Sequence, residues 1–162
     1  MKKLNLYVET SVFGFYYDTS ARNRQKRIAV RTLLRQIEEG RLQGYVSGLV
    51  RTELEKAPDP YRRRLLGLID RYGLITVEYD EDEVARLQEK YLEARVVPTS
   101  VSDDAAHVAI ATVAAMDVVV SCNLRHLANE LAVRRFLAVN MRLGYSSNLS
   151  IRQPEEVVIY ED

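Results

Sequence analysis

Sulfur chemistry is nearly missing from this chain: Cys122 is its single cysteine, so no internal disulfide can form and a reducing cytoplasm is the expected location. No stretch rich in Pro, Gly or Ser marks a linker or a disordered tail. Long apolar runs are lacking too. Val108 to Met116 and Val118 to Val120 are interrupted by Asp117, and Met1-Lys2-Lys3 precedes too few apolar residues for a signal peptide, so no membrane segment is expected. An excess of one charge is also absent, with 23 basic and 23 acidic residues balancing to zero, and the molecule as a whole does not advertise nucleic-acid affinity. Finally, there is no Gly-rich dinucleotide loop and no phosphate loop. Gly44-Tyr45-Val46-Ser47-Gly48 fails the nucleophile-elbow spacing, which disfavours nucleotide-cofactor chemistry and serine hydrolysis.

What is present suits one domain spanning residues 1–162, with about 141–162 as a C-terminal extension of undetermined structure. A chain this long can bury roughly 70% of its unfolded surface. Alternation of Leu4, Leu6 and Val8 with polar neighbours predicts a first strand ending at Glu9. Val30, Leu33, Leu34 and Ile37 follow helical spacing up to Gly40, and Tyr45-Val46 is a short second strand that leads into a helix carrying Glu53. A helix with Leu65, Leu68 and Ile69, a strand over Leu74 to Val77, and an Asp80-capped helix with Val84, Leu87 and Tyr91 come next. Ser102 or Asp103 caps an alanine-rich helix reaching about Met116. Val118-Val119-Val120 reads as a buried parallel strand, Leu127 to Phe136 as a helix, and Ile151 and Val157 to Tyr160 as weak strands. This alternation predicts an α/β three-layer sandwich with a mainly parallel central sheet.

Acidic or amide side chains far apart in sequence fall where strands run out: Glu9, Glu53, Asp104 and Asn123. In open α/β sheets ligands gather at the carboxyl ends of strands. Hard oxygen donors of this kind suit magnesium or manganese, which activates water and offsets charge on an attacked phosphate. Each residue also has a plainer reading. Asp104, in a first helical turn, serves equally as a dipole or capping residue, and a helical glutamate such as Glu53 is usually solvated. Asp103 and Glu55 point elsewhere on their helices. His107, three residues after Asp104, sits in an apolar helix and reads as a packed histidine that hydrogen-bonds within the helix layer. Cys122, His107 and His126 lack the paired spacing of a zinc site.

Two further groups bear on substrate. Phe13, Phe15, Tyr16 and Tyr17 follow the first acid and serve either the core or the stacking of unpaired bases. From Thr19 to Ile37 there are six basic residues and no acid, which is a solvated helix face or a phosphate-steering surface, while Arg62-Arg63-Arg64 reads as solvated.

Four segments together resemble the PIN-domain ribonucleases, including the toxins of VapBC-type (type II) toxin–antitoxin pairs. They are Leu6 to Gly14, Val46 to Leu54, Asp104 to Ala109, and Val120 to Leu127; Ala138 to Tyr145 is similar to a bacterial branch of the same family. The resemblance implies a metal-dependent endoribonuclease. Glu9, Glu53 and Asp104 would be the acidic cluster holding Mg2+ or Mn2+, Asn123 its fourth member, Ser11 a nearby hydrogen-bonding group and His126 a substrate contact. It also implies RNA as substrate, an antitoxin partner and a homodimer. Glu9 departs from the usual aspartate, and its extra methylene displaces the carboxylate by roughly 1 Å, which magnesium tolerates poorly. The alternative is a PIN-like module that binds RNA or protein without catalysis.

Overall fold

The computed structural model describes residues 2–146 and 148–161. Five strands form one all-parallel sheet in the order β3-β2-β1-β4-β5, made of β1 (Asn5–Val8), β2 (Gln43–Val46), β3 (Ile75–Thr76), β4 (Val118–Val120) and β5 (Ser150–Arg152). Leu6, Tyr7, Val8 and all of β4 are buried because helices cover both faces, as parallel sheets require. One group of helices holds α1 (Ser11–Tyr17), α2 (Arg24–Glu38), α3 (Gly48–Leu54), α4 (Tyr61–Arg71) and α8 (Pro154–Val157). The other holds α5 (Glu81–Glu93), α6 (Ser102–Val113) and α7 (Glu130–Arg142). The expected α/β/α sandwich is therefore the observed architecture, and no helix among the described residues is long and apolar enough to cross a membrane.

Local sequence explains most boundaries. The Asp80 side chain accepts from the Glu83 N–H and starts α5, and Ser47 accepts from the Val50 N–H and starts α3. Gly40, at φ 78°, ends the turn after α2 in a conformation that a side chain would oppose. At Gly44 the requirement is space: an added Cβ would lie 2.5 Å from Leu74 and 2.8 Å from Ile37, so only glycine lets α2 and the chain entering β3 close on β2.

Several expectations need correction. The third strand is only Ile75–Thr76, an exposed edge pair, because Leu74 turns into the core instead of pairing. α6 stops at Val113, with Ala115 at φ 56° breaking the helix before Met116. It starts at Ser102, after Val101 and not after a Ser or Asp cap. α7 starts at Glu130 and not at Leu127, since Asn129 caps it by accepting from the Ala132 N–H at 2.8 Å. Ile151 does lie in a strand, but Val157 closes α8 and the chain then runs extended along α2. There the buried Gln36 side chain donates to the Ile159 carbonyl at 2.8 Å and accepts from the Ile159 N–H at 2.9 Å.

Candidate functional site

The strand order reverses beside β1: the chain moves outward through β2 and β3, then returns to β4 on the other flank. A crevice opens at such a switch point, outside the carboxyl ends of the strands. Glu9 stands at its centre. The Glu9 N–H donates to the Val120 carbonyl at 3.0 Å, so β1 hands its first post-strand residue to the end of β4. Its carboxylate is only 4% exposed and collects three hydrogen bonds: Oε1 from the hydroxyls of Ser11 and Ser121, each at 2.6 Å, and Oε2 from the Ser11 N–H at 3.0 Å. Ser11 Oγ also accepts from the Cys122 N–H at 2.9 Å. A buried carboxylate survives only when satisfied in this way.

From Ser121 the polar path continues. Its hydroxyl accepts from the Asn123 N–H at 3.0 Å. Asn123 is engaged at both ends of its amide: Nδ2 donates to Asp104 Oδ2 at 3.2 Å, and Oδ1 accepts from the His126 N–H at 3.0 Å. Asn123 thus anchors Asp104 and turns the loop after β4. Asp104 lies in the first turn of α6, and its carboxyl is pushed above the usual aspartate range, first by burial and then by the charge of Glu9; His107, His126 and the Asn123 bond pull the other way.

Glu53, on α3, belongs to a second path. Its Oε1 accepts from Thr10 Oγ1 at 2.7 Å and from His107 Nε2 at 2.5 Å. His107 is fully buried, and its Nδ1 lies 2.6 Å from the Tyr7 hydroxyl, which in turn meets Ser47 Oγ at 2.8 Å. Burial alone would lower the imidazole's proton affinity, but the bond to Glu53 and the charges of Glu9, Glu53 and Asp104 raise it above the ordinary value. For Glu53 burial likewise opposes the charged form, and the bond and charge of His107 with the Thr10 bond outweigh it, so the carboxyl falls below its usual range. Buried Tyr7 is pushed well up, chiefly by burial. When the imidazole is protonated both ring nitrogens donate, one to Glu53 and one to Tyr7; when it is neutral one of them accepts.

Of the residues singled out from the sequence, Glu9, Ser11, Asp104, Asn123 and His126 lie on one hydrogen-bonded path with Ser121 at the ends of β1 and β4, and Glu53 joins beside it through Thr10 and His107. His107 is corrected. It bonds across to β1 and α3, not within its own helix layer, and joins the cluster as the partner of Glu53. Thr10, Ser121, Tyr7 and Ser47 are members that the sequence reading passed over; the Asp104-His107 spacing on one helix face was the available signal for the histidine. Ser121 follows a strand in the same way as Glu9, but a serine carries too little chemistry to stand out alone.

The donor set is all hard oxygen and suits a hard divalent cation. Among the described residues, however, no three His, Cys, Asp or Glu side chains stand ready as a metal cage. Glu9 is taken up by two serines and Glu53 by Thr10 and His107, so a cation would have to compete with these bonds. Asp104 is the carboxylate held least, by one 3.2 Å bond, and its acidity is weakened by burial and by the neighbouring Glu9.

Other sequence features find structural employment. Phe13 and Tyr16 are core, and Tyr17 lies under the Arg64 guanidinium, 4.3 Å from its ring centre. Arg27 and Arg31 donate to the carbonyls of Asp18 and Tyr16, and Lys26 pairs with Glu155 at 2.7 Å, so much of the basic run in α2 is spent inside the molecule. Burial pushes the Cys122 thiol up to about 12, which makes it an inert small side chain. No family model matches this sequence, and no curated protein is significantly similar to it.

Proposed function

We propose that the chain is a divalent-metal-dependent endoribonuclease, a hydrolase of RNA phosphodiesters built on a PIN-like fold. The observation that carries the reading is that Glu9, Glu53 and Asp104, from three distant segments, all act on the buried His107 at the switch point of a parallel sheet. The resemblance of those segments to PIN ribonucleases supports it. Bound Mg2+ or Mn2+ would supply an activated water and neutralise charge on the attacked phosphate.

The chain's own residues do the rest. Ser11 and Ser121 fix the Glu9 carboxylate in one orientation, so that a cation binding there would exchange these bonds for its own without a rotamer search. Asn123 orients Asp104, and Thr10 with His107 orients Glu53. When protonated, His107 bridges Tyr7 and Glu53 and offsets part of the negative charge of Glu9, Glu53 and Asp104. His126, beside Asp104, offers a donor at the rim for a phosphate oxygen. By the same resemblance, an antitoxin protein and a second copy of the chain are the proposed partners.

Purified protein and labelled RNA with manganese test this. Cleavage in the wild type and a fall of roughly 100-fold or more in Asp104→Asn are expected, beyond the 10–100-fold typical of losing an outer partner of a metal ligand. Equal cleavage by both proteins rejects the mechanism. One observation favours a second reading, a non-catalytic RNA- or protein-binding module: the Glu9 carboxylate is already saturated by its own chain. Calorimetry separates the two. Divalent-ion heat that vanishes in Glu53→Gln belongs to the nuclease, and RNA binding indifferent to metal belongs to the module.

A further inference from the structure

A cleft of about 800 Å³ lies away from the carboxylates, between the end of α5 and the facing side of α7. Lys90 and Arg95 stand on one wall, Arg135 and Arg142 on the other, and Val96 and Val139 lie buried at the floor. All four cations are exposed. Glu93 is the one acid in the lining, and it pairs with Lys90 at 3.2 Å. Among the described residues Arg95, Arg135 and Arg142 make no salt bridge, although Arg134, next to Arg135, pairs with Glu130 at 2.8 Å. In a chain of zero net charge, three unpaired guanidinium groups around one groove are a local positive excess that suits an anionic ligand.

We infer that this cleft binds the sugar-phosphate backbone of an RNA strand. Guanidinium forks match phosphate oxygens, a phosphodiester chain carries one charge per nucleotide, and cations on both walls let it thread the groove with its riboses over the apolar floor. The position suits a strand that also reaches the carboxylates. α7 begins just past the Asn123–His126 turn, and Arg135 lies about 8 Å along it. The choice of RNA rests on the ribonuclease reading; the presence of an anion site does not.

The test is fluorescence anisotropy of a labelled single-stranded RNA with wild-type protein in EDTA, so that binding is read apart from cleavage. The double charge reversal Arg95→Glu/Arg135→Glu is expected to weaken binding about tenfold or more and to make the plot of log affinity against log salt shallower by about 1.4, the value for two phosphate contacts on a single strand. Arg24→Glu, on the other helix layer, should change neither. Arg95→Gln/Arg135→Gln, with circular dichroism, guards against a folding defect: it should lose the same salt slope with unchanged helicity. Wild-type affinity in the reversed double variant overturns the proposal, as does polyglutamate binding the cleft more tightly than RNA, which would make it a dock for an acidic protein segment. RNA binding lost in the variant while wild type never cleaves leaves the cleft standing and removes the nuclease reading instead.

Discussion

Two buried polar networks hold this molecule together, and they differ in one respect that matters. Between α5, α6 and α7 the Tyr91 hydroxyl donates to the Asn140 side chain, Asn140 donates to Thr112 Oγ1 at 3.1 Å, and Thr112 donates to the Val108 carbonyl at 2.8 Å. Every member of that group is neutral across the physiological range, and burial pushes Tyr91 further from ionising. At the strand ends, by contrast, Tyr7, Ser47, His107 and Glu53 form a network with an acid and a base inside it. The neutral network specifies how three helices pack. The charged one ties packing to protonation, which a purely structural network has no reason to do.

The largest effect expected from breaking this contrast comes from His107→Ala. It leaves buried Tyr7 with only Ser47 and partly buried Glu53 with only Thr10, and should lower urea-derived stability by about 3 kcal/mol, the lower end of the range for breaking a buried charged pair. Asn140→Ala, in the neutral network, should lose about 1–3 kcal/mol by the same measurement, with the loss independent of pH.

The pH profile of metal-free protein sharpens the comparison further. His107 has a raised folded-state pKa, so its contribution is complete below the ordinary value of 6.5 and is lost as pH rises through the folded value. Glu53 has a lowered one, so its contribution is present above the ordinary 4.5 and is lost as pH falls. Stability from this pair should therefore be greatest between about pH 4.5 and 6.5 and decline above that. Unfolding in chelator should give a flatter profile for His107→Gln and an unchanged decline for Tyr91→Phe. The smallest effect is opposite in sign. Asp104, raised by burial and by Glu9, binds its proton more tightly when folded, so its ionisation at neutral pH opposes folding. Asp104→Asn should raise the thermal midpoint slightly at pH 7 while cleavage falls as stated above; a fall in the midpoint would mean that Asp104 is a structural anchor.

The same contrast marks what could be read from residues alone. β1, β2 and β4 were legible because apolar runs there end abruptly in polar residues, and α2 and α5 because their apolar faces recur at helical spacing. β3 was not, since two exposed residues at a sheet edge carry no periodic signal. The start of α7 was misplaced because Leu127 is apolar for core packing and not for helix formation, and Asn129 supplies the cap. The carboxylates could be picked out by chemistry, but their partners could not. Which serine faces Glu9, and that His107 reaches Glu53 across the sheet, are consequences of strand order, and strand order is set by long-range pairing that local patterns do not contain.

The clasp between Gln36 and Ile159 limits how this chain can be edited. A side-chain amide there stands in for a neighbouring backbone, offering one donor and one acceptor to a segment that no strand accompanies. Trimming before Ile159 would strand both of those groups in a buried setting, whereas an extension added after Glu161 would leave them satisfied, so affinity handles belong beyond that point.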